Sequence, residues 1–302
     1  MNRIFEYFRF YQEFGFGNSM RRIRNHYLIW RITAEGNYSL GNTSITDEAA
    51  HNGYSILCRE AVDSDDTFAK FRSCASIIDV LDHVTINQGN AYIRFIESRN
   101  SSLLDKSALK VLKSIDSIGR PLTWKLSSIG SISPTMIRYA KVYGDLERLF
   151  GPISSFKVAE VGIGFGGQTA VTAAFGGVND FFLYDLPVVL NLAKKFLGFV
   201  GVKATLNLKD GRNPESCVPD LFISNYAFSE ISKDVQDRYL SNVILNSPRG
   251  YITWNNSAEE KLSGYSLAEL VRIIPNSQIL PEIPLTSAYN SIIVWGHRVA
   301  SY

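Results

Sequence analysis

From Lys157 onward, short apolar runs alternate with longer segments whose apolar residues recur at helical spacing. The short runs, bounded by turn residues, predict buried strands at 157–163, 180–185, 203–208, 219–225, 250–255, 277–283 and 291–297. The segments between them predict helices over 167–175, 187–199, 233–246 and 266–274. Strands alternating with helices are the signature of a parallel sheet covered by crossover helices. Only "LTSAYN" separates the last two strands, too little chain for a crossover, so these two should pair antiparallel. The expected fold class is α/β, a Rossmann-like sheet of seven strands ending in an antiparallel hairpin.

Upstream the pattern is helical. Residues 1–33 carry aromatics and arginines at mixed helical spacing, and "AEGNYSLGNTS" at 34–44 is a turn-rich break. A further helix should follow a cap at Thr46, with Asp47 and Glu48 in its first turn, and others are predicted over 66–83, 88–98 and 102–117. The chain thus divides into a helical amino-terminal region, 1–118, and an α/β domain, 119–302.

Composition narrows the function. With 302 residues, 45% of them hydrophobic, the chain can bury a substantial core. Its net charge of +2 comes from nearly balanced acids and bases, which requires neither nucleic acid nor an anionic membrane as partner; a small molecule is expected. Cys58, Cys74 and Cys217 lie far apart, without a C-x-x-C pair, and read as buried reduced thiols. The opening "MNRIFEYFRFYQEF" interleaves charges with aromatics, unlike a signal peptide, and no window is long and apolar enough to span a membrane, so a cytoplasmic protein is expected.

The chemistry concentrates in "VAEVGIGFGGQ", residues 158–168, which admits two alignments. Gly162, Gly164 and Gly167 fit the G-x-G-x-x-G of a dinucleotide site; Glu160, Gly162, Gly164 and Gly166 fit the E-x-G-x-G-x-G of a methyl-donor site. In both, glycines allow close backbone approach to a ligand, and a helix begins with its positive end facing it. Asp185 closes the next predicted strand nineteen positions after Gly166, the spacing of a carboxylate that holds ribose hydroxyls. Glu160 favours the methyl donor, because a carboxylate there suits the ammonium of a methionine moiety and would repel a pyrophosphate. The antiparallel hairpin points the same way, since a dinucleotide sheet is parallel to its end. An NAD-dependent oxidoreductase is the alternative.

Together with "YDLPVVL", "DLFISNYAFSEIS", "DVQDRYL" and the lead-in "SPTMIRYAKVYGDLERLFG", this loop resembles the sugar O-methyltransferases, a branch of the class I S-adenosylmethionine-dependent methyltransferases associated with antibiotic-sugar and polysaccharide biosynthesis. The likeness covers about residues 120–260. It implies a loop of Glu160, Gly162, Gly164 and Gly166 around methionine and ribose, Asp185 on the ribose hydroxyls and Leu186 against the adenine. It also implies Asp210 near the adenine amino group, although "DGR" is equally turn chemistry. Arg138, with Tyr139, would cover the donor's carboxylate, or else be a surface arginine beside a packed tyrosine.

The predicted fourth strand delivers Asn225, Tyr226, Ser229 and Glu230 to the carboxyl edge of the sheet, where ligands of such folds collect. Methyl transfer to a hydroxyl needs alignment and a proton acceptor. Glu230 is the candidate base or sugar-orienting group, with Tyr226 and Asn225 positioning donor and acceptor; Glu230 could instead cap the helix near Lys233 or pair with Arg238. His51 and His83 fall in the helical region, which would cover the acceptor, and His297 lies at the end of the last strand. Asp79, Asp82 and His83 share a helix face too loosely for a metal site, and no metal is expected. The acceptor would be a sugar hydroxyl, free, nucleotide-linked or within a glycoside, with Arg21, Arg22 and Arg24 suited to a diphosphate. A polyketide acceptor, a homodimer contact through the helical region, and a non-catalytic binding module remain open on the sequence.

Overall fold

The protein is described by a computed structural model over residues 53–99, 101–126, 129–256, 264–286 and 290–298. The helix expected over 1–33, the cap at Thr46, and Arg21, Arg22, Arg24 and His51 lie outside these residues. Among the described residues five α-helices come first: α1 (Tyr54–Asp63), α2 (Asp65–Phe68), α3 (Ala75–Val80), α4 (Ile86–Arg99) and α5 (Lys106–Asp116). A small antiparallel ribbon follows, β1 (Trp124–Leu126) with β2 (Gly130–Ile132), which the hydrophobic pattern did not predict. The main domain then runs α6 (Pro134–Phe150), β3 (Lys157–Val161), α7 (Gly167–Gly176), β4 (Asp180–Asp185), α8 (Pro187–Val200) and β5 (Thr205–Asp210). It ends with β6 (Leu221–Asn225), α9 (Lys233–Tyr239), β7 (Gly250–Trp254), α10 (Leu267–Ile273), β8 (Gln278–Pro281) and β9 (Ser291–Trp295).

Local chemistry starts and stops these elements where the sequence signals it. Ser133 accepts a hydrogen bond from the Met136 N–H at 3.3 Å, and Pro134 sits in the first turn of α6. Ser266 and Glu269 form a capping box at α10. Helix α8 opens on Pro187 and closes at Gly201 in the left-handed region, φ 82°.

The segment 66–83, expected as one helix, is instead broken into α2, a 3₁₀ turn over Phe71–Ser73, and α3. Tertiary bonding overrides helical propensity there. The Arg72 N–H donates to the Gly119 carbonyl, and its fully buried guanidinium pairs with Asp82 at 2.8 Å and Asp116 at 3.1 Å. The helix expected over 233–246 likewise ends its regular part at Tyr239 and continues as a π turn over Leu240–Ile244.

The seven strands of the main sheet are ordered β5-β4-β3-β6-β7-β9-β8, and β9 runs antiparallel to both β7 and β8 while the other pairs are parallel. This is the Rossmann-like sheet of seven strands with a terminal antiparallel hairpin expected from the sequence. The chain moves outward from β3 through β4 to β5, then returns to place β6 on the other side of β3. That reversal makes the carboxyl ends of β3 and β6 the switch point where a ligand crevice opens.

One sheet face is covered by α6, α7 and α8, whose core is continuous with Phe71, Tyr92, Ile93 and Leu112 of the helical region. The other face packs Phe228, Val235 and Tyr239 against Trp254 and Trp295. Cys58 and Cys217 are buried as expected, but Cys74 is only partly so. Among the described residues, no helix is long and apolar enough to cross a membrane.

Candidate active site

Strand β3 ends at Val161, and the chain passes through Gly162, Gly164 and Gly166, with φ of 76°, 54° and 94°, into α7. Gly162 is required twice over. Its φ is one that side chains avoid, and a Cβ there would stand 2.0 Å from the Cβ of Ala227, in the turn after β6. A Cβ on Gly164 would press on Leu81 at 2.9 Å, so the loop also lies tight against the helical region.

Asp185, at the end of β4, fastens this loop. Its Oδ2 accepts from the Gly164 N–H at 3.0 Å and its Oδ1 from the Leu186 N–H at 2.8 Å. Around the loop is a cavity of about 370 Å³, within the size range of small-molecule sites. Glu160, Gly162, Gly164, Asp185, Leu186 and Arg138 line it, together with Asn225, Tyr226 and Glu230 from the end of β6.

Two of the expected site residues stand apart. Gly166 does not line the cavity; it begins α7 and packs against Leu197. Asp210 does not line it either. Its carboxylate is bound to Arg212, whose N–H and guanidinium it accepts at 2.9–3.1 Å and which holds it below the usual carboxylate range. The turn reading of "DGR" is therefore what the geometry contains, and Gly211 and Arg212 reach the cavity in place of the acid.

Glu160 is 2% exposed, and its Oε2 accepts from the Thr169 hydroxyl at 2.7 Å. No cationic side chain among the described residues pairs with it. Burial pushes its carboxyl up to about 8, against the pull of the Thr169 bond and with a further push from Asp185.

Arg138 is also buried and carries no ion pair among the described residues. It donates to the Leu81 carbonyl at 3.3 Å and lies over the rings of Tyr139 and Tyr226 at 5.6 and 5.7 Å. The surface-arginine reading is thereby excluded.

Beyond β6, Tyr226 adopts φ 69°, an uncommon conformation for a residue with a side chain. Its hydroxyl donates to Glu282, a carboxylate 5% exposed that also accepts from the Thr286 hydroxyl and N–H. Asn290 in turn donates to Thr286 at 3.1 Å. Glu230 accepts from the Asn255 side chain at 2.8 Å, while Arg238 pairs with Asp234 and not with Glu230.

His83 contributes its accessible face to the cavity wall. The protein around it and the adjacent Arg138 guanidinium lower its imidazole below the ordinary histidine value. His297 is not in the cavity. No group of three or more His, Cys, Asp or Glu side chains among the described residues is placed to hold a metal ion.

Several cavity residues had no local signal in the sequence. Tyr54 enters from α1, Gln168 from α7, and Thr286 and Asn290 from the segment joining β8 to β9.

No family model matches this sequence, and no curated protein matches it. Solved structures do. A Thermoplasma acidophilum protein is 16% identical over 64% of this chain and 97% of its own, with a TM-score of 0.38. The methyltransferase domain of the bacterial CtHen1-CN is 12% identical over 54% and 97%, TM-score 0.40. An rRNA methylase from Streptococcus thermophilus is 16% identical over 51% and 92%, TM-score 0.35. Likenesses at this level select neither donor nor acceptor for this chain.

Proposed function

We propose that the protein is an S-adenosylmethionine-dependent O-methyltransferase whose acceptor is a sugar hydroxyl. The observation that carries the donor half is Glu160, a buried carboxyl at the foot of a glycine loop with no cation of its own among the described residues. Such a group fits a ligand whose ammonium would favour its ionised form, a form that would repel a pyrophosphate. Arg138 has the complementary charge for the donor's carboxylate. Asp185 lines the cavity where ribose hydroxyls would meet it, and Leu186 offers an apolar face to the base.

The donor supplies an electrophilic methyl group on a sulfonium. The chain's own residues have three tasks: to hold the acceptor oxygen in line, to take its proton, and to limit water. Glu230, oriented by the Asn255 amide, would accept the hydroxyl proton as the new C–O bond forms. His83 is a poor alternative, since protonating it would set a second positive charge beside Arg138. Support for a sugar comes from the amides and hydroxyls on the acceptor side, Gln88, Asn255, Thr286 and Asn290, a set suited to several hydroxyl groups at once. The resemblance seen in the sequence gives the same acceptor class.

Thermal unfolding with S-adenosylhomocysteine, S-adenosylmethionine, NAD or NADP tests the donor. A ligand at about a hundred times its Kd adds about 2.7 kcal/mol. A shift with the sulfur compounds alone is expected; a shift with NAD or NADP alone would overturn the reading. Release of S-adenosylhomocysteine over a panel of sugars and glycosides then tests the acceptor.

A further inference from the structure

Gln168, in the first turn of α7, is 2% exposed and forms part of the cavity wall. Its Nε2 donates to the Tyr139 main-chain carbonyl at 3.3 Å and to the Thr172 hydroxyl at 3.2 Å. A carbonyl can only accept, so this bond fixes which end of the amide is nitrogen. The other end, Oε1, is buried and meets no hydrogen-bond donor among the described residues. Buried acceptors are ordinarily satisfied, and an orphan one in a ligand cavity calls for a donor from the ligand.

The neighbouring residue identifies that donor's chemistry. Thr169, the next residue of α7, holds Glu160 at the end of β3, and Gln168 and Glu160 line the same cavity, where the buried carboxyl also lacks a cation among the described residues. Two acceptors and no cation suit a group with several N–H donors and a positive charge. Resting on the methyl-donor reading above, we propose that Gln168 Oε1 and Glu160 jointly receive the ammonium of the donor's methionine moiety. Gln168 is then a specificity residue for the amino-acid end of the ligand.

Calorimetric titration of the full chain and of Gln168→Met tests this with three probes. They are S-adenosylhomocysteine, its decarboxylated amine analogue, and 5′-methylthioadenosine, which lacks the amino-acid end. Losing one hydrogen bond to a charged group should weaken the first two by about 10- to 100-fold. Methylthioadenosine affinity should be unchanged, which also reports that the rest of the cavity is intact. Equal loss for all three probes, or for none, overturns the proposal. Loss confined to S-adenosylhomocysteine would move the contact to the carboxylate and overturn it too. If Gln168→Met does not fold, Gln168→Glu carries the test: both amines should keep their preference over methylthioadenosine, and its disappearance counts against the proposal. Failure of all three compounds to bind the unaltered protein would refute the donor reading itself, a separate result.

Discussion

Replacing Glu160 by glutamine should make the protein more stable, and increasingly so as pH rises. The carboxyl ionises at 4.5 in an unfolded chain and at about 8 in the native state. Between those values the native state binds more protons than the unfolded one, so stability falls as pH rises and stops falling above about pH 8. At about 1.4 kcal/mol per pH unit the full difference is about 5 kcal/mol, of which about 3 kcal/mol is already lost at pH 7. Water entering the cavity would reduce both figures.

Glu160→Gln keeps the shape, can still accept from Thr169, and removes the ionisation. Urea unfolding of both proteins at pH 5, 7 and 8.5 isolates the effect, because every other titrating group cancels in the difference. The variant's advantage should grow steadily over that range while its affinity for S-adenosylhomocysteine collapses. Parallel pH profiles for the two proteins would refute the argument that this carboxyl is protonated in the free protein. Binding should tell the same story from the other side. At pH 7 a ligand ammonium should expel about nine tenths of a proton, read from calorimetry in buffers of different ionisation enthalpy.

Four further outcomes are expected. Gly162→Ala forces a side chain into the left-handed region and onto Ala227, and should abolish binding of S-adenosylhomocysteine in a filter or calorimetric assay. Asp210→Asn should leave that affinity within about threefold, a change of about 0.7 kcal/mol or less, since its carboxylate serves the Arg212 turn outside the cavity. Tyr226→Phe removes a hydroxyl donor from the buried Glu282 and should cost about 1–3 kcal/mol in denaturant unfolding. Glu230→Gln should lower kcat by about 100-fold or more with a sugar acceptor while sparing donor affinity; an unchanged rate would remove Glu230 from the chemistry.

The sheet was legible because each strand is a short apolar run set off by turns, and because "LTSAYN" is too short for a crossover. The glycine loop was legible because its glycines, Glu160 and Asp185 stand at the spacing of a nucleoside-binding loop. What escaped depends on contacts between distant segments. Glu282 lies 56 positions from Tyr226, and nothing in either neighbourhood announces their bond. Gln168 looks like any polar residue on a helix until the Tyr139 carbonyl fixes its orientation. The break within 66–83 has a similar origin, since its periodicity is helical and only the burial of Arg72 against Asp82 and Asp116 reveals why the helix stops.

That same arginine bears on how freely such a protein can be recombined. Its guanidinium lies 4.6 Å over the ring of Phe165, inside the glycine loop, and donates to Ser133, which Asp116 also binds at the start of α6. A chimera that exchanged everything before residue 119 for the corresponding region of another protein would leave Phe165 and Ser133 facing strangers. The glycine loop would then be intact in sequence and unsupported in space. Diversification of these helices must therefore preserve Arg72 with its two aspartates, along with the buried residues that share the core of the sheet layer.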